Sequence, residues 1–314
     1  MKEMQNQTTR SLKTASKMLK EKGVSFTCWY SVWKVYYLLY KKRQNQTPKD
    51  SGPSLFPIKV GGLPMYFHPS MKGLSETLYF CGVHEPLTTE TYVKSLRPGD
   101  NIIEIGANIG YYVLLAQSII GTSGRIIGFE PAPDNYDILK KNTEFYSNIE
   151  IFDLAIGNKN GNVEFYISEI PNWGSLIFRD NLFVKKKIMT RITRLDDFLT
   201  NLDNFRPTLI HMDIEGGEIQ ALEGANETIS KYKPNLLIEF HLFATGLEPV
   251  ADILANFVKL GYREFLLIDR LWDEPWIPSW LRNRRRKNGS LSELIDLIRA
   301  GGCPSCFSLF IKTD

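Results

Sequence analysis

Cysteine is scarce. The 314 residues hold four (Cys28, Cys81, Cys303, Cys306), too few for a disulfide framework in a chain of this length. Cys303-Pro-Ser-Cys306 is a lone CxxC, without the second pair that a four-ligand zinc site needs, and reads as two reduced thiols. Net charge is also small, +3 from 38 Lys/Arg against 35 Asp/Glu, and does not by itself mark a nucleic-acid binder. The sequence has no internal repeat and no low-complexity tract. Its first 23 residues are polar and lack the apolar core of a cleavable secretion signal, so a cytoplasmic protein is expected. With 43% hydrophobic and 23% charged residues, the chain is neither disordered, collagen-like nor a disulfide miniprotein. Its length suits two domains, or one α/β domain with an extension.

The charge that exists is unevenly placed. Residues 1–50 contain 11 Lys/Arg and three Asp/Glu, while the remaining 264 residues sum to −5. Within the basic arm, residues 24–40 (VSFTCWYSVWKVYYLLY) are apolar and aromatic, but too short and interrupted for a spanning helix. Trp29, Trp33, Tyr36, Tyr37 and Tyr40 recur at helical spacing, and Lys41, Lys42 and Arg43 follow. Two readings stay open. The stripe over residues 24–43 packs on the domain or on a second copy in a homo-oligomer, or it rests in the headgroups of an anionic membrane. Residues 44–57 are rich in Gly, Pro and polar side chains and form a linker. The expected division is an arm and linker over 1–57 and a domain over 58–314.

From residue 100 the chain alternates strand and helix. Strands are expected at Asn101–Ile105, Arg125–Phe129, Ile149–Leu154, Thr208–Met212, Asn235–Phe240, Glu264–Ile268 and Phe307–Lys312. Helices are expected at Tyr111–Ile120, Pro133–Tyr146, Glu218–Lys231 and Val250–Leu260. Such alternation builds an α/β fold, a parallel sheet covered on both faces, with ligands beyond the carboxyl ends of the strands. Gly161–Ser168 and Lys187–Arg191 read as an antiparallel insertion. Leu271–Asn288, with three tryptophans and a run of arginines, reads as a loop able to hold an anionic sugar, a nucleotide-linked glycan or a lipid phosphate, or as a solvated basic face.

The strongest local signal is the strand–glycine turn–helix sequence EIGANIGYY (Glu104–Tyr112). A dinucleotide site would place its close-approach glycine where Asn108 stands, between Gly106 and Gly110, which argues against a nicotinamide-dependent oxidoreductase. The loop suits an adenosine-type cofactor without a diphosphate. Glu104 could orient the loop amides or meet a cationic amine, and Glu130, twenty residues past Gly110, could accept two ribose hydroxyls. A second cluster follows in His211-Met-Asp213-Ile-Glu215-Gly216. Residues two apart in a strand share a face, so His211 and Asp213 point the same way, and His241 reaches the same edge from the next strand. Acids and histidines on one rim suit a general base or a metal site.

EIGANIGYY, GFEPAPDNY, LAIGNKNGNVEFYIS, RLDDFL and MDIEGGEIQALEGA together resemble the FkbM family of S-adenosylmethionine-dependent methyltransferases, from about Asn101 to His241. The resemblance implies a class I methyltransferase, Rossmann-like fold: a seven-stranded, mostly parallel sheet with the last strand antiparallel. It implies S-adenosylmethionine as cofactor and methylation of a hydroxyl on a sugar, glycan or other small metabolite. The loop from Glu104 to Gly110, with Tyr111 after it, would hold the methionine part and Glu130 the ribose. Phe152–Ile156, through Asp153 and Ala155, would border the adenine. Asp213, Glu215 and Gly216 match the family's Asp-x-Glu-Gly element, but His211 stands where the family commonly has Lys. Asp213, His211 and His241, with Glu215 in the adjoining turn, are the catalytic candidates. No complete ligand set is legible, so a divalent cation is not expected. Nucleic acid is disfavoured by the acidic body. The alternative is a non-catalytic, membrane-associated scaffold that keeps the fold to bind glycan or lipid.

Overall fold

The computed structural model describes residues 56–67, 73–168, 173–178, 184–202 and 204–312. The N-terminal arm, with its aromatic stripe and most of its linker, lies outside the described residues. The chain enters through a hairpin, β1 (Phe56–Val60) and β2 (Leu63–Phe67), turned by Gly61 and Gly62 in left-handed backbone at φ 58° and 85°. Two helices follow, α1 (Leu74–Cys81) and α2 (Pro86–Ser95). The alternating body then runs β3 (Asn101–Ile105), α3 (Tyr111–Ile120), β4 (Arg125–Phe129), α4 (Pro133–Thr143), β5 (Ile149–Phe152) and β6 (Leu154–Ile156). A long hairpin, β7 (Gly161–Ser168) and β8 (Val184–Thr193), pairs antiparallel as expected and forms a small sheet with β6. The second half runs α5 (Leu195–Leu199), β9 (Leu209–Met212), α6 (Glu218–Glu223), α7 (Asn226–Tyr232) and β10 (Asn235–His241). It closes with α8 (Leu242–Thr245), α9 (Leu247–Leu260), β11 (Glu264–Asp269), β12 (Arg286–Ser290), α10 (Leu291–Arg299) and β13 (Cys306–Lys312).

The main sheet has the order β12-β11-β13-β10-β9-β3-β4-β5. Strands β5, β4, β3, β9 and β10 are mutually parallel, and β13, the last in sequence, runs antiparallel to both β10 and β11. The seven expected strands are present in a class I methyltransferase arrangement, with an eighth at the edge. That eighth strand, β12, pairs antiparallel with β11 inside the stretch read as a loop. Its five residues (Arg-Lys-Asn-Gly-Ser) carry no apolar alternation, and main-chain pairing alone makes it a strand.

Period-two alternation feeds two cores. Ile103, Ile127, Ile210 and Leu236 face one side of the sheet with Phe240 and Leu254, and their neighbours Ile102, Ile126, Leu209 and Leu237 face the other with Val113 and Leu114. All twelve are at most 1% exposed. Helix α9 turns Val250, Ala251, Leu254 and Phe257 inward, and begins three residues earlier than expected because Pro249 is tolerated in a first turn. The single helix expected over 218–231 is broken at Gly224, where an added Cβ would lie 1.9 Å from the Gly157 carbonyl oxygen. The described residues up to Pro275 and from Arg282 onward form one unit, to which residues 276–281 do not belong. Cys303 and Cys306 are free thiols. Among the described residues no helix is long and apolar enough to cross a membrane.

Helix α10 starts with a capping box: the Glu293 amide donates to Ser290 Oγ at 3.3 Å, and the Ser290 amide donates to Glu293 Oε2 at 3.1 Å. Ser290→Ala therefore costs ~1 kcal/mol of stability in urea unfolding, and no loss would show that the box does not hold α10 on the domain.

Candidate active site

A cleft opens at the carboxyl ends of β3, β4 and β9, lined by Glu104, Gly106–Asn108, Glu130–Ala132, Leu154–Ile156, His211 and Asp213–Glu215 among others. Its floor is the turn after β3. Gly106 has φ +87°, and an added Cβ would lie 2.1 Å from the Asp213 carbonyl oxygen, so only glycine lets the turn after β3 meet the turn after β9. The Gly106 and Ala107 amides both donate to the Phe129 carbonyl, at 3.0 and 2.9 Å, which ties the turn to the end of β4. Asn108 is left-handed at φ 51°, its side chain accepting from the Ile109 amide at 2.8 Å. Gly110, at φ 96°, delivers the chain into α3, so that Tyr111 and Tyr112 line the cleft.

Glu130 clamps this turn. Its Oε2 accepts from the Asn108 amide and its Oε1 from the Ala132 amide, both at 2.8 Å. Burial pushes its carboxyl up to about 7, against the pull of these amides and the Asn135 side chain. With three donors already on it, the carboxylate keeps about one acceptor site for a further donor. Beyond Glu130, Ala155 lines the cleft between Leu154 and Ile156. Asp153 does not; it is exposed and paired with Arg191 at 2.5 Å.

On the opposite wall, β3 and β9 place Glu104 and His211 in register. His211 Nδ1 lies 2.7 Å from Glu104 Oε2, and the Tyr92 hydroxyl donates to Glu104 Oε1. Tyr112 tilts over the imidazole with ring centroids 4.2 Å apart. Both Glu104 oxygens are thus engaged away from the cofactor turn. Asp213 is partly exposed; its Oδ1 is buried and has no hydrogen-bond partner among the described residues. Burial and the nearby Glu239 carboxylate push its carboxyl well above the usual range, against the opposing pull of His241.

His241 and Glu215 belong to a network beside this wall. Glu218 Oε1 lies 2.9 Å from His241 Nδ1 and accepts from the Gly216 amide at 2.8 Å, while Glu215 and Glu239 each lie 3.4 Å from His241 Nε2. Arg270 bridges Glu85 at 2.7 Å and Glu239 at 3.2 Å. Burial alone would raise Glu85, but Arg270 and His84 hold it far below the carboxylate range. Burial would likewise lower His241, yet its hydrogen bonds to Cys306, Glu218 and Glu239 keep it well above the usual histidine range. Donor atoms of Asp213, Glu215 and His241, and of Glu239, His241 and Cys306, lie within 4.8 Å of one another, close enough to consider a metal. In these sets His241 already pairs with Glu218 and Glu239, and Glu239 also with Arg270.

The structure therefore brings together Glu104, Gly106, Asn108, Gly110, Tyr111, Glu130, Ala155, His211, Asp213 and Glu215, sets His241 just behind, and leaves Asp153 outside. Sequence reasoning missed Tyr92, Glu85, Arg270 and Glu218, of which only Glu218, adjoining the Asp-x-Glu-Gly element, carried a local signal. Three residues of the basic run after β11 have partners within the protein. Arg286 pairs with Glu90, Arg282 donates to the Glu274 and Pro275 carbonyls, and Arg285 lies over the Trp272 ring at 4.0 Å.

An open α/β sheet whose first two strands end in a glycine turn and a buried acid is the scaffold of a nucleoside-cofactor enzyme. Residues 104–264, just over half of the chain, match the methyltransferase FkbM domain, and the protein belongs to that family of S-adenosylmethionine-dependent methyltransferases. It is 22% identical over 187 residues to the hexuronic acid methyltransferase AglP of Haloferax volcanii (57% of this chain, 73% of that one). It is 25% identical over 202 residues to the 2-O-methyltransferase NoeI of Sinorhizobium fredii (56% and 82%). Among solved structures, an FkbM methyltransferase from Methylobacillus flagellatus matches with a TM-score of 0.36 and 23% identity, over 53% of this chain and 44% of that one.

Burial of Glu130 fixes a sign. With its carboxyl raised to about 7, the folded protein holds a proton that the unfolded chain releases near 4.3, so this residue destabilises the fold progressively between those values. Replacing it with Gln loses one amide bond at all pH values but removes that penalty. In thermal melts the stability of wild type relative to Glu130→Gln accordingly falls from pH 5 to pH 8, and a relative rise would contradict the burial argument.

Proposed function

We propose that this methyltransferase acts on a hydroxyl of a sugar or another small metabolite, with His211 as general base. One observation carries the reading: a carboxylate-held histidine lines the same cleft as the Glu130-clamped turn. AglP and NoeI, by their names a hexuronic acid methyltransferase and a 2-O-methyltransferase, support the substrate class. The residues fit the cofactor. Glu130 keeps acceptor capacity for a ribose hydroxyl, the glycine turn offers backbone close to it, and Ala155 offers a small apolar wall for adenine. Asn108 occupies the position that a pyrophosphate would need open.

The cofactor supplies an electrophilic methyl group, and the chain's own work is placement and proton removal. The cleft wall holds the acceptor oxygen toward the cofactor turn. Glu104 accepts the Nδ1 proton of His211, so the neutral ring carries its lone pair on Nε2, which takes the hydroxyl proton as the new bond forms. Asp213, whose carboxyl its surroundings push well above the usual range, offers a hydrogen bond that fixes the acceptor. No step in this reading is given to a divalent cation. The basic, aromatic stretch 24–43 supports peripheral contact with an anionic membrane, read by whether deletion of residues 1–45 ends sedimentation with anionic vesicles.

His211→Gln is expected to lower turnover by roughly 10²–10⁴ with cofactor affinity kept, and Asp213→Asn, which keeps a hydrogen-bonding group of the same shape, to cost far less. The reverse ranking would make Asp213 the base, and loss of activity on chelation would reinstate a cation. Because hydroxyl donors favour ionised Glu130, S-adenosylmethionine should bind with proton release, its affinity rising through about pH 7. Calorimetry in buffers of different ionisation heat reads this directly, and pH-independent affinity would remove Glu130 from the ribose site.

A further inference from the structure

We infer that Tyr92 and Glu104 are positioning residues for methyl transfer, a buried chain that acts through His211. The inference rests on the reading of His211 as base and reassigns Glu104, which the sequence offered to the cofactor. Its geometry is specific. Glu104 on β3 is 1% exposed, Tyr92 on α2 is fully buried, and His211 on β9 is 4% exposed. Glu104 Oε2 meets His211 Nδ1 at 2.7 Å while Oε1 accepts from the Tyr92 hydroxyl. Of the three, Glu104 and His211 reach the cleft; Tyr92 does not line it and meets neither cofactor nor acceptor.

A carboxylate only accepts, so a proton on Nδ1 is the arrangement that satisfies both groups, and it leaves Nε2 basic. When Nε2 takes a proton, Glu104 stabilises the imidazolium at hydrogen-bond distance in a dry site. Tyr92 moderates that stabilisation by sharing the carboxylate's charge. Burial and the Glu104 carboxylate hold its phenol well above the usual range, so it remains a donor. The groups facing the imidazole are Glu104 from β3, Tyr92 from α2 and Tyr112 from α3, with Asp213 in the turn just past the end of β9. Across β10 the register partner is Leu237, which does not titrate. Tyr92 also stands edge-on to both Tyr112 and His211, at 4.9 and 5.3 Å between centroids, so the ring is fixed apart from its hydroxyl.

The two positioning residues then push the pH dependence in opposite directions. Glu104→Gln removes the anion, makes the imidazole less basic, moves the acid limb of the single-turnover pH–rate profile down and slows transfer by roughly 10- to 1000-fold. Tyr92→Phe keeps the ring, concentrates charge on Glu104, moves the limb up and slows transfer by a few-fold. Both leave S-adenosylmethionine affinity within about twofold, and both lose their effect in a His211→Gln background. Melting curves check that each variant folds, with Tyr92→Phe the conservative member of the pair. If Tyr92→Phe leaves the limb in place and Glu104→Gln weakens cofactor binding, Glu104 is a cofactor contact and the chain is overturned while His211 stays the base. If His211→Gln itself does not slow transfer, the base assignment fails, and this inference with it.

Discussion

The absence of a side chain at Gly106 lets two loops occupy one place. The turn after β3 touches the Asp213 carbonyl, and an added Cβ would sit 2.1 Å from it. That contact makes the ends of β3 and β9 a single surface. The adjacent register then pairs Glu104 with His211, and the Asp213 amide donates to the Ile105 carbonyl at 3.1 Å. Cofactor turn and acceptor wall are consequently one rigid construction. A methyl group needs this, because in-line transfer tolerates little error between donor and acceptor.

Around that contact the protein buries far more carboxylate than a stability argument alone would favour. Glu85, Glu104, Glu130, Glu218, Glu239 and Asp273 are all under 9% exposed. Unpaired, each would be strongly destabilising. The structure answers each differently. Glu130 is satisfied by two amides and still titrates near 7, Glu85 and Glu239 share Arg270, Glu218 and Glu239 hold His241, and Asp273 takes the Leu87 and Thr88 amides at 2.6 and 2.8 Å. The backbone is bent to achieve it, with Glu85 at φ 43° and Glu215 at φ 58° in a region that non-glycine residues rarely adopt. Strain and buried charge coincide at the same rim, where they keep polar groups in fixed positions that water would otherwise blur.

How much of this the sequence discloses depends on whether a feature is local. Strands β3, β4, β10 and β13 are legible because both faces of the sheet are covered, which turns them into short apolar runs. The cofactor turn is legible because its glycines, Asn108 and Glu130 follow one another at fixed spacing along a strand–turn–helix unit. Strand β12 is illegible: Arg286, Lys287, Asn288, Gly289 and Ser290 are loop residues by every side-chain criterion and pair through main chain alone. The break at Gly224 is illegible for a related reason, since the Gly157 carbonyl that forbids a side chain there comes from another part of the chain.

The acceptor wall shows the same limit most sharply. The sequence gives His211 and Asp213 a common face, yet says nothing of which strand lies beside them. Only the order β10-β9-β3-β4 brings Glu104, 107 residues away, against His211, and only the packing of α2 adds Tyr92 behind it. A residue two positions before a cofactor glycine reads locally as a cofactor residue. Here the neighbouring strand claims its second oxygen and α2 its first, so the same carboxylate that begins the glycine motif is held against His211. The parallel sheet thus supplies the link that the motif alone leaves out: its register pairs one acidic side chain with a histidine from a distant part of the chain.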